Sequence, residues 1–96
     1  MAEGQLDDLE NLMDPASEIF IKAEQSLIEN SLQDAWNGFS TIMKKHPSSF
    51  LADNALFSLG MIARKKGDHK RAQQLFDQVM RDFPDSDAAA NVKKLI

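Results

Sequence analysis

The stretch LFSLGMIARKKGDHKRAQQLFDQVMRDFP, residues 56–84, decides the fold. Leu56, Leu59, Gly60 and Ala63 recur at intervals of three, one and three, which sets them along one stripe of an α-helix. Gly67 supplies a residue free to take the left-handed conformation that ends a helix, and Asp68 offers a side-chain oxygen to cap the next one. Ala72, Phe76 and Met80 then follow at intervals of four, again on one face, until Pro84 forbids continuation. The segment reads as helix, tight turn, helix. So short a turn sends the second helix back along the first, antiparallel to it.

Outward from this stretch the pattern repeats. A displacement of 37 residues lays Ala35 on Ala72, Phe39 on Phe76, Met43 on Met80, Pro47 on Pro84, Ser49 on Ser86, Ala52 on Ala89 and Asn54 on Asn91. Helix punctuation falls at matching places. Asp14-Pro15 reads as an N-cap with proline at the first helical position, opening a helix over 16–29 that Asn30 ends. Ser31 caps a second over 32–45, with Asp34 three residues later and Pro47 as its stop. Ser48 or Ser49 opens a third over 50–66, Asp68 a fourth over 69–82, and Asp85 or Ser86 a fifth from about 86 through Ala88, Ala89, Val92 and Ile96. No segment alternates with period two for long enough to make a strand. The predicted fold is all-α, two antiparallel hairpins plus a C-terminal helix. Ala23, Gly60, Ala35 and Ala72 are small enough to let paired helices approach closely. Phe39 and Phe76 are the large knobs expected between hairpins, each burying about 150–200 Å².

These residues resemble the tetratricopeptide repeat. Leu56, Leu59-Gly60, Ala63, Gly67, Ala72, Phe76, Val79 and Pro84 fall at that family's spacings. The first copy keeps Ile19, Ala23, Ala35, Phe39, Ile42 and Pro47 but has Lys22 in place of the leucine and Asn30 at the turn, as a degenerate terminal repeat does. The resemblance implies a right-handed superhelical fragment of an α-solenoid over 15–96, with repeats at about 16–47 and 53–84 and a partial third at 86–96. Residues 1–14 stand apart as an acidic arm or short helix. The long repeat and its Pro-x-Ser turns (Pro47, Ser49; Pro84, Ser86) look like the subgroup of bacterial envelope proteins that includes the Tol-Pal-associated periplasmic coordinator and the outer-membrane assembly lipoprotein, which would imply scaffolding in the cell envelope.

Composition bounds the function. The 96 residues are 43% hydrophobic and 27% charged, an ordinary balance for one folded domain. There is no cysteine, hence no disulfide framework and no thiol ligand or nucleophile. No apolar run reaches the length of a membrane span. The sequence shows no signal peptide, so a complete chain would stay cytoplasmic, and a piece of an exported precursor would be periplasmic. The net charge of −4 argues against nucleic acid or an anionic membrane as partner. It is also uneven: residues 1–18 hold six acids and no base, whereas residues 19–96 hold eleven bases and nine acids. Within the arm, Leu6, Leu9 and Leu12 or Met13 recur among the acids, so residues 5–13 read either as a short amphipathic helix or as a solubilising tail.

No catalytic constellation emerges. His46 and His69 each lack a histidine or carboxylate at i+4 that would make a metal face, and Gly4, Gly38, Gly60 and Gly67 are too scattered for a phosphate loop. We therefore expect no enzyme, no cofactor and no metal. Trp36, beside the repeat alanine, is expected to pack on the first hairpin or on the arm, and Met43 and Met80 to fill core. Arg64, Lys65 and Lys66, with Lys70 and Arg71 beyond the turn, form the strongest basic feature.

The expected function is protein binding. Phe57, Met61 and Arg64 lie within about 60° of one face, distinct from the Leu56/Leu59/Ala63 stripe. They combine an aromatic anchor, an adaptable apolar chain and a cation. The resemblance implies a groove lined by the first helix of each hairpin: Phe20, Glu24 and Leu27, then Asn54, Phe57, Met61, Arg64 and Lys65, then Asn91 and Lys94. The family's receptors for chaperone tails clamp a terminal carboxylate with lysine and asparagine, but Phe20 and Glu24 occupy the leading positions here. A protein or peptide carrying acids beside apolar residues fits the basic end. The competing reading is self-assembly, because two hairpins leave an apolar end on which another copy could stack through Val92, Leu95 and Ile96.

Overall fold

The computed structural model describes residues 14–95. Five helices follow in order: α1 Ser17–Ile28, α2 Leu32–Lys45, α3 Ala52–Lys65, α4 His69–Asp82 and α5 Asp87–Leu95. Among the described residues there is no strand. The expected helix at 5–13 and Ile96 lie outside the described residues.

Both hairpin turns use one device. The Asp68 N–H donates to the Ala63 carbonyl at 2.9 Å and the Gly67 N–H to that of Arg64 at 3.0 Å, while Gly67 takes φ 83°. In the first hairpin the Ser31 N–H donates to Ser26 at 2.8 Å and the Asn30 N–H to Leu27 at 3.0 Å, with Asn30 at φ 62°. Asparagine is among the few side chains that tolerate this left-handed geometry, so the degenerate copy keeps the turn without the glycine.

Helix starts depart from expectation in three places. Asp68 caps α4 as read, its Oδ1 accepting from the Arg71 N–H at 3.1 Å, but Ser31 holds the matching position on α2 with no side-chain capping bond. Helix α1 begins at Ser17 instead of Pro15, and Asp14 divides its carboxylate between the chain just ahead of it and the α2–α3 loop. Its Oδ1 accepts from the Ala16 N–H at 2.9 Å, and its Oδ2 from the Ser49 hydroxyl at 2.6 Å and the Phe50 N–H at 2.9 Å. Helix α3 starts two residues later than the expected 50, since Phe50 and Leu51 donate their N–H groups to Asp14 and to Ser49 Oγ respectively and remain in the turn.

Packing follows the chain. Helices α1 and α2 pair, α3 and α4 pair, α2 lies against α3 to join the hairpins, and α5 rests on both α3 and α4. Phe39, Ile42, Leu56, Ile62 and Val79 are the largest fully buried side chains. Close approach within each hairpin rests on glycine. A Cβ on Gly60 would come within 2.5 Å of the Phe76 ring, and one on Gly38 within 2.8 Å of the Ala23 Cβ. Phe39 and Phe76, the expected knobs, each meet a phenylalanine of their own hairpin. Phe39 meets Phe20 edge-on with ring centroids 5.4 Å apart, and Phe76 meets Phe57 at 5.8 Å. The two pairs stand 37 residues apart, so Phe20 and Phe57 belong to the repeat as well.

Phe39→Ala should cost about 3–5 kcal/mol through loss of apolar burial and the cavity left behind. Gly60→Ala should cost about 1–3 kcal/mol, since α3 and the Phe76 ring must part. Urea unfolding monitored by circular dichroism measures both, and midpoints equal to the wild type would contradict this packing.

Candidate partner-binding surface

The expected contact residues lie on the first helix of each hairpin and on α5. Phe20, Leu27, Phe57 and Met61 are half-buried against the core. Asn54 is also half-buried, while Glu24, Arg64, Lys65, Asn91 and Lys94 are exposed. The two phenylalanines thus offer an edge, their rings already packed on Phe39 and Phe76. Apolar surface that sequence reading missed stands beside them on α1. Ile21 is 61% and Ile28 83% exposed. Seven residues apart, they share one side of the helix to within about 20°, a spacing visible in the sequence but outside the family's pattern. Lys65 occupies on α3 the position that Ile28 holds on α1.

Arg64 turns elsewhere. It borders a cleft of about 200 Å³ with His69, Gln73, Phe76, Val92 and Leu95, at the outer end of the second hairpin. The positions 37 residues earlier, Leu27, Leu32 and Trp36, pack against the core. Apolar residues there have become Arg64, His69 and Gln73 at the end cleft. The opposite end shows the same exchange: Ala55, Leu59 and Ile62 are buried on α3, whereas their counterparts Glu18, Lys22 and Gln25 are exposed on α1. Glu18 and Lys22 pair there at 3.3 Å, and Gln25 donates to Glu29 at 3.4 Å. Both ends of the stack are therefore polar at positions that are apolar at the junction.

Lys66 and Arg71 of the basic cluster serve the junction itself. Lys66 Nζ and Arg71 Cζ each lie 5.9 Å from the centroid of the half-buried Trp36 ring, and Lys66 also donates to Gln33 at 3.4 Å. Trp36, expected to pack on its own hairpin or on the arm, meets the turn of the second hairpin, which brings two cations to its ring; residues 1–13 of the arm lie outside the described residues. Such contacts are worth about 0.5–1 kcal/mol each at exposed sites. Among the described residues no group of three potential metal ligands converges, and no helix is long and apolar enough to cross a membrane.

This arrangement defines an all-α protein of stacked helical hairpins. Residues 54–86, spanning nearly all of α3 and all of α4, match the family described as Tetratricopeptide repeat. Its repeats mediate protein–protein interaction and are typically scaffolds without enzymatic activity. No curated protein matches the chain.

One titratable group is tuned by these contacts. The Ser49 hydroxyl and the Ala16 N–H, with the Phe50 N–H and the nearby His46, hold the Asp14 carboxyl below its ordinary value. A lowered folded pKa means that the stabilisation is complete above the ordinary aspartate value, about 3.9, and is lost as pH falls through the lowered one. Asp14→Asn should flatten the fall in melting temperature across that acid range. An acid limb as steep as the wild type's would show that Asp14 contributes nothing to it.

Proposed function

We propose that the chain is a protein-interaction scaffold whose partner lies across the first helices of the hairpins, reaching from Ile21 and Ile28 on α1 past Met61 to Lys65 on α3 and Lys94 on α5. The observation that carries this reading is the contrast between faces. Apolar chains stay in water on the partner-facing side of α1, while both ends of the stack have polar residues where the junction has apolar ones. A surface for stacking further copies would keep those apolar residues, so the contrast favours a foreign partner over self-assembly. Lys65 and Lys94 favour a segment carrying acids beside apolar residues, and Phe57 and Met61 supply its half-buried anchors. Arg64, turned to the end cleft, contributes charge to this site at a distance. The resemblance of the long repeat to envelope-type scaffolds extends the reading to a place in the bacterial cell envelope.

Capture with the intact chain identifies the partner, and titration then tests the face. Ile28→Asp together with Lys65→Glu should weaken that partner about tenfold or more, equivalent to about 1.4 kcal/mol. The unfolding midpoint should hold, since both side chains are exposed. Affinity should also fall as salt rises. Unchanged affinity in the double variant would remove this face as the site, and a dimer in light scattering would restore self-assembly.

A further inference from the structure

The loop joining the hairpins holds an aromatic ring that the fold does not use. Phe50 is 93% exposed, whereas Phe20, Phe39, Phe57, Phe76 and Phe83 are buried or packed against the core. The repeat does not call for an aromatic here, since the residue 37 positions later is Asp87, the first of α5. The ring borders an open cleft of about 470 Å³ shared with Asp14, Pro15, Lys45, His46 and Pro47. Apolar prolines, an unused aromatic and two basic side chains therefore meet at one place.

The chain itself delivers a complementary segment there. Asp14 accepts from the Phe50 N–H and the Ser49 hydroxyl, so residue 13 is one peptide bond from a group fixed in this cleft. Upstream, residues 1–13 carry four acids, Glu3, Asp7, Asp8 and Glu10, with no base. Leu6, Leu9 and Leu12 share that segment at intervals of three. As a helix, residues 5–13 would be about 13 Å long, short enough to fold back over the cleft from Asp14. Tethering adds an effective concentration in the millimolar range, so modest contacts suffice.

We propose that residues 6–13 dock on this cleft, setting Leu9 and Leu12 against the Phe50 ring and the acids toward Lys45 and His46. The docked arm extends the tie that Asp14 makes between the start of α1 and the α2–α3 loop. It leaves the faces of α1 and α3 assigned to a partner uncovered.

Nuclear magnetic resonance on the intact chain tests this. Nuclear Overhauser contacts should link the Phe50 ring protons to the methyl groups of Leu9 or Leu12. Phe50→Ser should abolish them, return residues 6–13 to random-coil shifts and leave the shifts of α4 and α5 in place. Amide exchange of residues 6–13 should be slower in the wild type than in Phe50→Ser by about tenfold. It should quicken at 1 M salt, where the Debye length is about 3 Å. Random-coil shifts for residues 6–13 in the wild type would overturn the proposal, as would contacts to Ile21 or Ile28 instead. Contacts that appear between differently labelled chains would assign the arm to a second copy and overturn it equally.

Discussion

The architecture depends on how closely the two helices of each hairpin can approach. In the second hairpin the approach is made by Gly60, whose missing side chain leaves room for the Phe76 ring. In the first it is made from the other helix, where Gly38 accepts Ala23. One steric requirement is met with the glycine on α3 in one copy and on α2 in the other. Each ring then lies against a phenylalanine one helix away, Phe20 on Phe39 and Phe57 on Phe76, so hairpin closure and aromatic packing reinforce each other. Everything else is hung on these two closed hairpins: their junction, their exposed faces and their ends.

The junction carries more polar chemistry than a repeat stack requires. Trp36 takes Lys66 and Arg71 over its ring, and Asp14 ties the start of α1 to the α2–α3 loop through Ser49 and Phe50. These contacts give the two hairpins a particular mutual position that apolar burial, being non-directional, leaves loose. The same serine position is reused in the second copy for a different end. Ser86 Oγ donates to the Phe83 carbonyl and accepts from the Ala89 N–H, so it starts α5 locally, where Ser49 serves a carboxylate 35 residues away.

Comparison of equivalent positions shows which surfaces are made for water. Leu27, Leu32 and Trp36 pack against the core, and Arg64, His69 and Gln73 replace them at the outer end. Ala55, Leu59 and Ile62 are buried, and Glu18, Lys22 and Gln25 replace them on α1. A single repeat period therefore contains both a packed version and a solvated version of each end. Among the described residues, the exposed large apolar side chains are on the Ile21/Ile28 side of α1, at Leu95 beside the end cleft and in the loop at Phe50, which is where recognition is sought.

The sequence alone determined the helices, the turns and the pairing of helices into hairpins. Those follow from apolar spacing, from Gly67, Asn30 and the prolines, and from turns too short for any other course. It also exposed the 37-residue period and with it the resemblance to a helical repeat. Tertiary structure alone decided what the side chains at the joints do. Trp36 looked like a ring for its own hairpin until the turn of the second brought two cations to it. Asp14 looked like a helix cap until the fold placed Ser49 and Phe50 within reach of its second oxygen. Arg64 belonged to a stripe with Phe57 and Met61 on the helical wheel, yet it borders the cleft against α5, because a long side chain goes where the neighbouring helix leaves room. Helical periodicity is a property of one segment, whereas each of these roles is a contact between segments far apart in the chain, and only the folded arrangement supplies the second partner.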